Sequence, residues 1–331
     1  MTRLTRNSIA LGFACVLSLS AAEGAPLDRS SVQSSDEALQ AAAPVIQHVF
    51  VIVMENHDAS QIYGNTTNAP YINGTLIPNY AHATNFNDEL PSLASEPHYL
   101  WMEAGTNAFS DHTFTTDGDP SSTNSTSSTA HLVTQIKNAT SGVTWMTYQE
   151  GQNSTTGSCP IASSGFYAAK HDPFVFFKDV SGNPPSKTNA YCVAHSKPYS
   201  SFATDLAANN IASYVFITPN LCHDMHGASG CPNSNTIRSG DDWLKAELPR
   251  IINWVITHSG VIFITWDEGS ATTKMPFLAV GPGVKTNYTG TVSYTHSSMI
   301  KSVEEILGLP ILSKVSGSTD LTDLFKPGFF P

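Results

Sequence analysis

The chain is poor in charge, and poorest in cations. Only 13% of its 331 residues are charged, and 16 Lys and Arg stand against 27 Asp and Glu, a formal net charge of −11. A nucleic-acid binder needs a basic face to neutralise phosphates, and this balance argues against that class. A phosphorylated small substrate stays open, because a bound metal supplies positive charge locally. The five cysteines contain no C-x-x-C pair, which disfavours a zinc site. No internal repeat is present.

The N-terminus does carry signals. "MTRLTR" places Arg3 and Arg6 ahead of "IALGFACVLSLSAA", an apolar stretch too short for a bilayer span, with the small residues Ser20 and Ala22 at its end. Residues 1–22 therefore read as a signal peptide, with a retained anchor as the alternative. Cys15 is not read as a lipoprotein site, because the apolar run continues past it. Export leaves Cys159, Cys192, Cys222 and Cys231, and an even count in an exported chain favours disulfides. Of the three possible connectivities, nearest-neighbour pairing is expected: Cys159–Cys192 and Cys222–Cys231. Residues 23–44 are polar and small and read as a linker. Residues 45–331 read as a single domain, secreted or periplasmic, with no integral membrane segment once the signal is removed.

"HVFVIVM" (48–54), "SYVFITP" (213–219), "VIFITW" (261–266) and "PFLAVGPG" (276–283) are nearly unbroken apolar runs, as strands buried on both faces require. "GVTWMTYQE" (142–150) is a weaker fifth. Helical patterns lie between them: 95–105, 241–260 with Pro249 introducing a kink, and 296–310 beginning near a serine cap and ending at Gly308. Strands alternating with helices predict an α/β fold with a mostly parallel central sheet flanked by helices. Residues 107–129 and most of 151–200 read as polar insertions.

In such a sheet, ligands bind beyond the carboxyl ends of the strands. Three of the runs end in polar clusters: Glu55-Asn56-His57, then His223, Asp224 and His226 within "PNLCHDMHG", then Asp267-Glu268-Gly269. Glu55, Asn56, Asp267 and Glu268 offer only oxygen donors, which suits magnesium, calcium or manganese better than zinc. Ser95 stands at the start of a helix marked by Pro97, where free N–H groups favour an anion. It is a candidate nucleophile, with an ordinary N-cap as the alternative reading and Ser92 as a nearby competitor.

These residues resemble the phosphoesterase family of bacterial acid phosphatases and phospholipases C, within the alkaline phosphatase superfamily. The resemblance rests on an ordered series: "VFVIVMENHDASQIYG", "LASEPHYLWMEAG", "GVTWMTYQE", "KHDPFVFF", "ITPNLCHDMHG", "GDDWL", "ITWDEG" and "GPGVK…YTHSSMIKSVEEILGLP". It implies an alkaline-phosphatase-like fold and hydrolysis through a phosphoserine on Ser95. Glu55, Asn56, Asp267 and Glu268, with Ser95, match the metal ligands; one ion is favoured and two are possible. His98 stands where the family usually has Asn. His223, Asp224 and His226 match the histidine-rich loop and His296 the late histidine; the resemblance implies contacts to phosphate or proton donors, with ligands of a second metal as the alternative. Lys170 and His171 add substrate contacts. His48, His82, His112, His131, His195 and His258 read as structural or exposed. The expected activity is an acid phosphatase acting on a small phosphorylated substrate. The alternatives are a phospholipase C acting on phospholipid head groups and an inactive phosphate- or lipid-binding module. The short stretch after the last motif favours the phosphatase.

Overall fold

A computed structural model describes residues 46–152 and 157–331. The expected signal peptide (1–22) and linker (23–44) lie outside the described residues.

Every residue of HVFVIVM after His48 is buried, and the run forms β1 (His48–Met54) at the centre of a nine-stranded sheet. In chain order the other strands are β2 (Ala81–Asn87), β3 (Trp145–Gln149), β4 (Ser196–Pro198), β5 (Tyr214–Thr218), β6 (Gly260–Trp266), β7 (Lys274–Val280), β8 (Tyr288–Gly290) and β9 (Tyr294–Thr295). The order across the sheet is β4-β3-β5-β1-β6-β7-β2-β8, with β9 also on β2. From β4 to β6 every pairing is parallel; only β7 runs antiparallel, to both β6 and β2. The carboxyl ends of β1, β2, β3, β5 and β6 therefore share one edge. The mostly parallel sheet is as expected, and all five predicted strands are present. β2, β4, β8 and β9 are additions. AHATNFN in β2 mixes small and polar residues and carries no apolar run, so its place between β7 and β8 is decided by partners distant in sequence.

Ser95–Ala104 is helical and stops at Gly105, whose φ of 64° is the left-handed conformation glycine adopts without steric cost. The helix predicted over 241–260 begins earlier, spanning Thr236–Thr257, because the Asn235 side chain caps it by accepting from the Arg238 N–H. Pro249 lies inside this helix without ending it. His296–Leu307 is led by Thr295 rather than by a serine; Thr295 N–H donates to Ser298 Oγ at 3.1 Å. This helix packs on Ser95–Ala104, and Trp101 Nε1 donates to Ser297 Oγ between them at 2.9 Å.

The cysteines pair as expected. Cys159–Cys192 ties the 151–200 insertion together, and Cys222–Cys231 closes the HDMH loop. No helix among the described residues is long and apolar enough to cross a membrane.

His131 is buried between two carboxylates, with Nδ1 2.8 Å from Glu103 and Nε2 3.1 Å from Asp179. Burial opposes its charge, but the bonds to Asp179 and Glu103 outweigh burial and raise its pKa. A raised histidine pKa contributes stability that is complete below about pH 6.5, the unfolded value, and is lost as pH climbs through the folded value. His131→Asn removes one partner of a buried charged cluster, a loss of about 3 kcal/mol. Its destabilisation relative to wild type should be larger at pH 6 than at pH 9 in thermal melts. An equal difference at both pH values would show that His131 is neutral in the fold.

Candidate active site

The parallel core brings its polar strand ends together through backbone bonds. Glu55 N–H donates to the Asp224 carbonyl at 2.7 Å, and Asp267 N–H to the Met54 carbonyl at 3.0 Å. Asn56 then crosses between the strands: its N–H reaches Asp267 Oδ1 at 3.1 Å and its side-chain amide reaches Glu268 Oε1 at 3.2 Å. Asn56 sits at a φ of 40°, a left-handed position that Asn tolerates better than most residues. After Glu268 only glycine fits, since a Cβ on Gly269 would lie 2.1 Å from the Thr272 carbonyl oxygen and 2.7 Å from Asp58 Oδ1.

Ser95 is the first helical residue after the loop that follows β2. Its Oγ lies 3.2 Å from Glu55 Oε2 and 3.3 Å from Glu268 Oε1. One turn later, Tyr99 presents its hydroxyl on the same helix face and donates to Glu55 Oε1 at 2.6 Å. Ser92 is in the exposed loop at a φ of 73°. The fold brings Ser95, not Ser92, against both acidic pairs.

Glu55, Asp224 and Asp267 are fully buried, and Glu268 is partly so. Burial, reinforced by the neighbouring carboxylates, pushes all four pKa values up. Asp267 Oδ2 and Asn56 Oδ1 are buried with no hydrogen-bond partner among the described residues. Packed, buried oxygen donors with free lone pairs are what a hard divalent cation satisfies, so the donor set Glu55, Asn56, Ser95, Asp267 and Glu268 fits one. His98 approaches Asp267 and Glu268 but cannot act as a ligand. Its Nδ1 lies 2.8 Å from the Ala94 carbonyl and its Nε2 3.0 Å from Asp88, so both nitrogens act as donors. Burial opposes this charge, yet the Asp88 bond and the nearby Asp267 raise its pKa to about 9. His98 is a cation beside the acidic group, where an Asn would supply only a dipole.

A second group stands against the first. His171 stacks on Tyr99 with ring centres 4.8 Å apart, and its Nε2 lies 3.2 Å from Glu55 Oε1. Its Nδ1 is 3.7 Å from Asp224 Oδ2. His171 Nε2 and Asp224 Oδ2 are both buried and unpartnered among the described residues. Burial, then the nearby Lys170 and His226, hold His171 well below the ordinary histidine pKa. A neutral ring with a free nitrogen beside two carboxylates also suits a cation. The exposed His226 has its ring 6.4 Å from that of His171. His223 donates Nδ1–H to Glu150 at about 3 Å, which leaves Nε2 as the working nitrogen. Lys170 pairs with Asp117, a residue of the 107–129 insertion, and Asp117 also accepts from the first-turn N–H of Glu96 at 3.1 Å. His296 lies beneath Asp267, its Nε2 2.8 Å from the Trp266 carbonyl. Burial, then the His98 cation, bring its pKa down to about 4.

Glu55, Asn56, Asp267, Glu268 and Ser95 carry a signal in the sequence, whereas the residues that hold them in place carry less. Glu150 directly follows β3, so the strand-end rule applied to the weak fifth run finds it. Tyr99 is four residues beyond Ser95 on one helix face. Asp88 and Asp117 carry no local signal; they matter only because loops bring them to His98 and Lys170.

Comparison with known proteins follows the same lines. A model of the Phosphoesterase family matches residues 81–310. The chain is 29% identical over 288 residues to the phosphatidylinositol-3-phosphatase of Mycobacterium tuberculosis, covering 86% of this chain and 84% of that one. It is 25% identical over 315 residues to a probable acid phosphatase of Kluyveromyces lactis, covering 89% and 68%. A solved structure of a protein in the alkaline phosphatase superfamily from Vibrio parahaemolyticus shares the fold, with a TM-score of 0.55 at 10% identity over 86% of this chain and 71% of that one.

Proposed function

This chain belongs to the phosphoesterase family and is a phosphoric-ester hydrolase; from that premise we propose that it is an exported, metal-dependent phosphomonoesterase of acid phosphatase type, working through a phosphoserine on Ser95. One observation carries the reading: two separate strand ends and one helix start converge on the Ser95 hydroxyl, with carboxylates 3.2 and 3.3 Å away. The two disulfides support export. Residues 45–331 form the catalytic domain.

Glu55, Asn56, Ser95, Asp267 and Glu268 would hold a divalent cation, which would neutralise the carboxylates and favour the serine alkoxide. Magnesium, calcium or manganese suits these oxygens, and Glu55, His171 and Asp224 suit a second ion. The chain's own residues do the rest. Ser95 Oγ attacks phosphorus as the bond to the leaving oxygen breaks. His223, its Nδ1–H held by Glu150, acts as the imidazolium and gives its Nε2 proton to that oxygen, becoming neutral. It then takes a proton from the water that attacks the phosphoserine, and Ser95 leaves. Lys170, His98 and His226 place positive charge or N–H donors around the phosphoryl oxygens. Tyr99 holds Glu55, and His296 holds the carbonyl just before Asp267.

A phosphomonoester is a dianion and a diester a monoanion, and the Lys170 ammonium, with the buried His98 cation behind the acidic group, favours the former. Monoesters should be cleaved at least about tenfold faster, the equivalent of about 1.4 kcal/mol. Steady-state rates on phenyl phosphate and on a phosphocholine diester decide this. Preference for the diester would replace the proposal with a phospholipase C, and turnover of neither with a binding module.

A further inference from the structure

Beside Glu268 lies a cleft of about 260 Å³ whose walls include Asp88, Ser92, Glu268, Ser270, Thr272 and Thr273. It begins at the carboxylate that accepts from Ser95. We propose that this cleft seats the alcohol half of the substrate, and that the alcohol is a polyol: a sugar or similarly hydroxylated group carrying the phosphate. The proposal rests on the phosphomonoesterase reading and specifies its substrate class.

Three observations carry it. The first is chemical. The walls present two carboxylates and the hydroxyls of Ser92 and Thr273, while the Ser270 and Thr272 hydroxyls donate to Gln61 and Asp58 and offer a ligand their acceptor lone pairs. Apolar wall is confined to Pro91 and Ala271, too little for an aromatic or acyl leaving group to gain from burial.

The second is that the cleft is built. One wall is the turn 269–272, pinned by the buried Asp58, whose Oδ1 accepts from the N–H groups of Ser270, Ala271 and Thr272 at 3.1, 3.3 and 2.9 Å. Gly269 allows that turn to close. The opposite wall holds Ser92 at a φ of 73°, a strained position for serine that the surrounding loop must maintain. A turn held by three residues around one carboxylate keeps its shape without ligand, so binding costs little ordering entropy.

The third is exclusion. On the other side of the Ser95 helix start, Asp117 accepts from the Glu96 N–H and latches Lys170. The ester oxygen then lies between the two rims. The proton donor reaches it from the His223 side, and its carbon substituent runs toward Thr272 and Thr273.

Thr273 is exposed and outside the catalytic set. Thr273→Trp fills the cleft, and Thr273→Val keeps its shape while removing one hydroxyl. Values of kcat/KM are measured for glucose 6-phosphate and for ethyl phosphate, which is too short to enter. In wild type, glucose 6-phosphate should be favoured at least about tenfold. Thr273→Trp should abolish that preference and leave ethyl phosphate within about twofold, and Thr273→Val should lower only the glucose 6-phosphate value by several-fold. Equal wild-type rates on the two esters, or parallel losses on both in both variants, would overturn the cleft assignment. If wild type hydrolyses neither ester, the phosphomonoesterase reading fails and the cleft proposal falls with it.

Discussion

Ser95→Ala is expected to lower kcat by at least roughly 10³-fold, since it removes the covalent route entirely. The fold should be unaffected. Ser95 is buried at the first turn, but the helix does not use its hydroxyl as a cap. Its Oγ is spent on Glu55 and Glu268, and its loss leaves those oxygens to a cation. Phosphate or vanadate should therefore still bind, because Lys170, His98 and His226 remain. Ser92→Ala should change little, because the loop carries Ser92 away from the carboxylates. Acid quenching during turnover, followed by mapping of the phosphopeptide, should place the label on Ser95 and give none in the variant. A label on a histidine or on Ser92, or near-normal turnover by Ser95→Ala, would refute the mechanism.

Asp267→Ala should lose bound metal and activity together while the protein stays folded. Asp267 accepts from the Asn56 N–H and carries one unpartnered oxygen within the acidic group. Its removal orphans one buried N–H, a cost of about 1–3 kcal/mol. It also relieves repulsion with Glu55 and Glu268, both of which raise its pKa. These effects oppose one another, so the metal-free variant should melt close to metal-free wild type. The metal-loaded forms should differ. A ligand at a hundred times its Kd stabilises by about 2.7 kcal/mol, and only wild type should gain that. Elemental analysis and melts with and without added divalent ion test this apart from turnover. Stoichiometric metal and near-normal activity in Asp267→Ala would remove Asp267 from the ligand set.

The legible part of this fold was whatever burial writes into local composition. Strands covered on both faces must be continuously apolar, so β1, β5, β6 and β7 stood out, and β3 faintly. β2 did not, because AHATNFN meets its needs through neighbours at 274–280 and 288–295 rather than through its own hydrophobicity. The same asymmetry holds in the site. Glu55, Asn56, Asp267 and Glu268 were readable as polar residues directly after apolar runs, and Ser95 as a serine before a proline-marked helix start.

By itself, then, the sequence determined the strand core, its carboxyl-end clusters and the chemical type of the donors. These follow from backbone periodicity and from which side chains can share a buried place. Only the tertiary structure decided between Ser95 and Ser92, because the choice depends on loop conformation. Only it gave His98 a charge, His223 a tautomer and Lys170 a counter-ion. Those states are set by Asp88, Glu150 and Asp117, which lie 10, 73 and 53 positions away along the chain. A protonation state is a property of what surrounds a group in space, and spacing along a chain does not encode it.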